Sequence, residues 1–98
     1  MKVVWTLRAK YRLQQILEYI AEDQPVNAER WVNKLIDRGD SLQELPERGR
    51  MVPEYYDPEI REILEGAYRI IYRLHGQRVD ILTVRHSSQL LPAEIDEL

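Results

Sequence analysis

The chain has 98 residues, of which 32% are charged and 44% hydrophobic, with a formal net charge of -3. That length holds one modest core, so residues 1–98 read as a single domain, and the apolar content excludes a disordered chain. The absence of cysteine excludes disulfides, thiolate metal sites and cysteine nucleophiles, and the acidic balance excludes an unaided nucleic-acid binder with a strongly basic face.

In chain order, Val3-Val4-Trp5 is a short strand candidate and Thr6 a helix N-cap. Leu13, Ile16, Leu17 and Ile20 form one stripe of an amphipathic helix, extended by Ala9, which predicts a helix from about Leu7 to about Glu22. Pro25 suits the first turn of a second helix. Ala28, Trp31, Val32, Leu35, Ile36, Leu42 and Leu45 lie on one side of it, and Pro46 ends it. Gly39 falls on that stripe, where it is expected to permit close packing or a bend. Glu47 to Pro58 reads as a loop, with Arg48-Gly49-Arg50 as a turn. Strands follow at Glu59–Glu65, from Tyr68 to about Leu74, and from Val79 to His86, the last two joined by His75-Gly76-Gln77. The terminal residues, with Leu90, Leu91, Pro92 and Ile95, are left as a strand extension or one helical turn.

The order β-α-α-β-β-β predicts an α+β fold: an N-terminal strand, an α-helical hairpin, then a three-stranded antiparallel meander. Helices cover one sheet face, and the other is expected to be free for binding. Alternation puts Arg69 and Arg73 opposite Tyr68, Ile70, Tyr72 and Leu74. Residues 66–86 carry Arg69, Arg73, Arg78 and Arg85 against Asp80 alone, while 87–98 carry Glu94, Asp96 and Glu97 with no cation. The last hairpin is therefore the locally basic part. The plain alternative is that Arg69 and Arg73 are surface cations, with Glu62 as a cross-hairpin partner. Trp5 and Trp31 are assigned to the core, and Tyr55-Tyr56 to a loop with at least one exposed ring.

Several segments together resemble the RelE/ParE superfamily of toxins from bacterial type II toxin–antitoxin modules. They are Trp5-Thr6 before an alanine-containing helix, Ile16-Leu17-Glu18-Tyr19-Ile20, Pro25-Val26-Asn27-Ala28, Leu45 to Glu54 with its Gly-Arg-Met-Val-Pro-Glu run, Ile60-Arg61-Glu62, Tyr68-Arg69-Ile70-Ile71-Tyr72, and Ile81 to His86. The resemblance implies a toxin neutralised by a cognate antitoxin in a hetero-oligomer that reaches operator DNA only through the antitoxin. It also implies one of two activities: ribosome-dependent mRNA cleavage, or inhibition of DNA gyrase by binding.

A metal-independent ribonuclease needs a base, an acid and cations for the phosphorane charge, and Arg69, Arg61 and His86 are the candidates. The nuclease relatives carry lysines before the meander, where this chain has Glu54, Tyr55, Tyr56 and Asp57; its lysines are Lys2, Lys10 and Lys34. Ser87-Ser88-Gln89 stands where their arginine follows the last strand, and no tyrosine follows Tyr72. The reading therefore leans to the ParE side and to gyrase binding, although the arginine usual there after the final histidine is also absent. Arg69, Arg73, Arg85, His86, Arg50 and Tyr55 are the candidate target-binding residues. A third reading is a non-toxic module that binds an antitoxin. Neither cofactor nor metal is expected, His75 and His86 lacking ligand spacing. Without a leader pattern or an apolar run of roughly 18 residues, a cytoplasmic protein with no membrane contact is expected.

Overall fold

Thr6 begins the fold by doing two things at once. Its Oγ accepts the Ala9 backbone N–H at 3.2 Å, capping α1 (Leu7–Asp23), and donates to the Ile81 carbonyl at 2.7 Å. The first bond satisfies an orphan helix donor, and the second ties the end of β1 (Lys2–Trp5) to the sheet. The computed structural model describes residues 1–98. α2 (Ala28–Asp40) packs against α1, and the strands β2 (Arg50–Met51), β3 (Ile60–Glu65), β4 (Tyr68–His75) and β5 (Arg78–His86) complete the chain.

The five strands lie in the order β1-β5-β4-β3-β2. The meander β3-β4-β5 is antiparallel, as the pattern of strands indicates, while β1 joins β5 in parallel, the helical hairpin carrying the chain from β1 at one edge of the sheet to β2 at the other. Ala9 and Leu13 of α1 and Val32 and Leu35 of α2 meet Ile63, Ile70, Tyr72, Val79, Ile81 and Val84 in the main core. The expected helical stripes and strand alternation therefore face one another.

The structure departs from the sequence reading in five places. α2 starts at Ala28, since Pro25 lies in a turn closed by the Asn27 N–H on the Gln24 carbonyl at 3.1 Å. It ends at Asp40 and tightens into a 3-10 turn, Ser41–Gln43, where the Ser41 hydroxyl donates back to the Arg38 carbonyl. The expected loop contains β2, a two-residue strand with no alternation to betray it; it exists because β3 pairs with it. Gly49 leads into it with its N–H on the Tyr72 hydroxyl at 3.1 Å, so close that a Cβ would meet that hydroxyl and the Glu62 backbone. β5 carries a bulge: Ile71 faces Thr83 and Tyr72 faces Ile81, leaving Leu82 between them.

The fourth difference matters most for function. The sheet face away from the helices is largely covered. Val52, Ile60, Ile71 and Leu98 form a second buried cluster there, with Tyr55, Leu82, Leu91 and Ile95 packed on it. The loop before β3 and the terminal segment, which includes a 3-10 turn at Ile95–Glu97, supply that cover. Trp31 also departs from expectation: it is 37% exposed at the rim, with the Lys34 ammonium 5.2 Å from its ring centroid.

Candidate functional site

β4 sets the geometry, because its alternate residues point to opposite faces. Arg69 lies on the face away from the helices, buried to 9% exposure. Its Nε donates to Glu62 at 2.5 Å, and Nη1 and Nη2 form a two-toothed pair with Glu54 at 2.9 and 3.0 Å. Glu62 is 1% exposed, and its other oxygen accepts Arg50 Nε at 2.7 Å. The result is a row, Arg50–Glu62–Arg69–Glu54, with two cations and two carboxylates. The Arg69 hydrogen bond holds the Glu54 carboxyl below its usual value, and Glu54 first, then Glu62, hold Arg69 above the usual arginine value. Three of the five N–H donors of this guanidinium are thereby bonded to carboxylates of the protein itself.

The other candidates spread from this row. Arg73 pairs with Glu59 at 3.4 Å. Tyr55 donates its hydroxyl to the Pro92 carbonyl at 2.8 Å and so pins the terminal segment; Tyr56, 84% exposed, is the free ring. Arg85 stands directly across from Arg69 on β5, where two like charges repel, and it has no carboxylate within ion-pair distance. Burial, then the nearby Arg12, hold its pKa below the usual arginine value.

His86 lies on the opposite face, at the far end of β5. Its ring meets Tyr68 edge-on at 5.4 Å, and Nδ1 accepts the Ser88 backbone N–H at 3.1 Å. In the neutral ring that bond leaves the proton on Nε2. Arg61 also faces the helix side, donating to the Gly49 carbonyl at 3.0 Å. It pairs with Tyr72 in register, as His86 does with Tyr68. Those tyrosines are separated by about 13 Å at the rise of an extended strand. Arg69, Arg61 and His86 are thus not brought together: one is on the outer face, and the other two are at separate ends of the helix side. Arg50, Arg69, Arg73, Arg85 and Tyr55 do share the outer face.

Sequence reasoning passed over Glu54, whose approach to Arg69 depends on the fold of an irregular loop. It also passed over Arg12, which with Ile16, Tyr19, Tyr68, Val84 and His86 lines a groove of about 380 Å³ between α1 and the end of the sheet. The Arg69–Glu62 pair was legible across the hairpin, but Arg69 is buried and not a surface cation, and Arg73, expected on the same carboxylate, pairs with Glu59 instead. No cluster of three or more histidine, aspartate or glutamate side chains is arranged to hold a metal ion, and no helix is long and apolar enough to cross a membrane.

A family model described as the ParE toxin of the type II toxin–antitoxin system parDE matches residues 3–91. The chain is similar to toxin RelE2 of Caulobacter vibrioides, with 37% identity over 90 residues, 91% of this chain and 98% of the relative. Y4kP of Sinorhizobium fredii is 37% identical over 91 residues, 93% of each protein. Among solved structures, a chain of the chromosomal ParDE system of P. aeruginosa superposes with a TM-score of 0.74 at 21% identity, over 88% of this chain and 95% of that one. A chain of the RelBE2 toxin–antitoxin complex of Mycobacterium tuberculosis gives 0.65 at 22% identity, over 87% and 95%. At such identities the structures speak for the fold.

Proposed function

Given that the chain belongs to the ParE toxin family of type II toxin–antitoxin systems, we propose that it arrests growth by binding DNA gyrase and is held inactive by a cognate antitoxin. The observation that supports binding over cleavage is the state of Arg69. A cation that stabilises a phosphorane must present free donors to it. Here Glu54 and Glu62 take three of the five Arg69 donors and hold its charge between two carboxylates, and Arg61 and His86 lie elsewhere. A binder needs no convergent acid and base, only a surface. The antitoxin reading draws on the solved relatives, which come from ParDE and RelBE systems.

The test is to induce this chain alone in a bacterium and follow pulse incorporation of labelled thymidine and labelled amino acid. The gyrase reading expects thymidine incorporation to fall first. Amino-acid incorporation falling first overturns it in favour of ribosome-dependent mRNA cleavage. No effect on either assigns the chain to a non-toxic module that binds an antitoxin.

A further inference from the structure

The two carboxylates on Arg69 are not equivalent. Glu62 comes from the middle of β3, its side chain is fully buried, and it also holds Arg50. Glu54 comes from the loop between β2 and β3, and 43% of its side chain is open to solvent. Withdrawing Glu62 would strand charge inside the fold. Withdrawing Glu54 needs only a side-chain rotation, after which water solvates the carboxylate. The backbone around it need not follow, because it is tied on both sides. The Val52 N–H bonds the Ile60 carbonyl at 3.0 Å, and the Tyr55 N–H returns to the Val52 carbonyl at 3.2 Å. The Tyr55 hydroxyl is fixed on Pro92 at 2.8 Å.

Such a rotation uncovers a guanidinium that is already aimed. Glu62 keeps hold of Nε at 2.5 Å, so the Nη1 and Nη2 edge that served Glu54 at 2.9 and 3.0 Å stays in place. That edge donates two parallel bonds to a planar carboxylate. Its surroundings suit a protein contact. Arg85 stands in register with Arg69 on the same face and pairs with no carboxylate. Tyr56, two residues past Glu54, has a φ of 52°, the left-handed region in which a side chain is strained. Its ring is 84% exposed, so burial gives nothing back for that strain. Tyrosine is enriched in contact surfaces.

We propose that Glu54 is an internal stand-in for a carboxylate of the target protein, and that docking exchanges one for the other on Arg69. The incoming acidic side chain takes the Nη1 and Nη2 edge, Glu54 turns out into solvent, and the Tyr56 ring flanks the contact. The number of ion pairs on Arg69 is conserved, and an uncharged side chain in the same place leaves the arginine short of a partner, so the exchange selects an acid. Glu62 remains bound throughout, and neither Arg61 nor His86 comes nearer, so the exchange assembles no cleavage site. The inference rests on the reading of the chain as a binder, but its first test needs no target.

The experiment follows the arginine Nε–H signals of the purified chain and of Glu54→Ala by NMR as sodium acetate is added, with sodium chloride as the ionic-strength control. In Glu54→Ala the Arg69 signal should move saturably, at an acetate concentration about tenfold or more below that needed in the unaltered chain. That factor is the loss of apparent affinity caused by a mask in place about nine-tenths of the time. The Arg78 signal should respond alike in both. An Arg69 signal that is unmoved in the variant, or that responds equally in both proteins, overturns the proposal. Movement with inorganic phosphate but not with acetate overturns it in favour of a phosphate site. If Glu54→Ala fails to fold, Glu54→Gln, which keeps the bulk and one acceptor, carries the same comparison. With purified gyrase, Glu54→Ala should bind about tenfold more tightly than the unaltered chain. Weaker binding makes Glu54 a structural brace and overturns the exchange. Gyrase bound by neither protein, with the acetate response intact, refutes the gyrase reading and upholds the masked carboxylate site.

Discussion

Glu62 shows how much one side chain can organise. It is 1% exposed and stands between Arg50 and Arg69, its oxygens taken at 2.7 and 2.5 Å. A buried ion pair adds little net stability over an apolar replacement, but breaking one partner away is costly, about 3–5 kcal/mol. Glu62→Ala leaves Arg69 with Glu54 still bound, so the loss should fall at the lower end, about 3 kcal/mol by urea unfolding. The Arg50 half adds little, since its side chain is 63% exposed. The double variant Glu62→Leu with Arg69→Met should recover most of that loss, because no charge is then stranded. A double variant as unstable as Glu62→Ala would refute this account of the row. The side on which Arg69 lies could be read from strand alternation. The carboxylate that closes over it could not, because Glu54 sits in a loop whose path no local pattern dictates.

Among the elements, α2 carries a glycine inside its apolar stripe, at a point where the sheet side packs closely against it. Gly39 interrupts its stripe at a cost of about 1 kcal/mol in helix propensity relative to alanine. The helix accepts that cost because the Trp5 ring lies against the glycine: a Cβ there would overlap the ring and stand 2.9 Å from Ile81 Cδ1. Trp5 is further held by its indole N–H, which donates to Asp40 Oδ1 at 2.9 Å. Gly39→Ala should therefore destabilise, by about 1–3 kcal/mol of overpacking set against the propensity gain. A lowered melting temperature in a thermal scan is expected, and a raised one would show that the ring yields freely. The stripe itself was legible as far as Ile36. Where the helix stopped was not, since Ser41 has to find the Arg38 carbonyl before the turn tightens.

On the scale of the whole molecule, the face away from the helices is sealed by hydrophobic packing and by ion pairs that depend on pH. Glu54 and Glu59 both have carboxyls held below their usual value, by the bonds to Arg69 and to His75 respectively. A carboxyl whose folded pKa lies below its unfolded one contributes stability that is fully present above the unfolded value of 4.5. That contribution is lost as pH falls through the folded value. The urea midpoint should accordingly change little from neutral pH down to about 5, then drop steeply. Glu54→Gln, which cannot ionise, should lower the midpoint at neutral pH and shallow the acid slope. An identical slope in both proteins would show that Glu54 takes no part in acid unfolding.

Local chemistry already determined the helical hairpin, the meander, the basic last hairpin and the family likeness. Periodic burial, caps and turn residues act over a few neighbours, and those signals lie in the chain itself. Tertiary structure alone decided which cations remain available. Arg69 is enclosed by Glu54 and Glu62, 15 and 7 residues away in the chain. Arg12 and Arg85, from a helix and a strand far apart in sequence, are left without a carboxylate on the open edge of β5. The availability of a charge depends on everything folded around it, and that is a property of the assembled sheet and not of any segment.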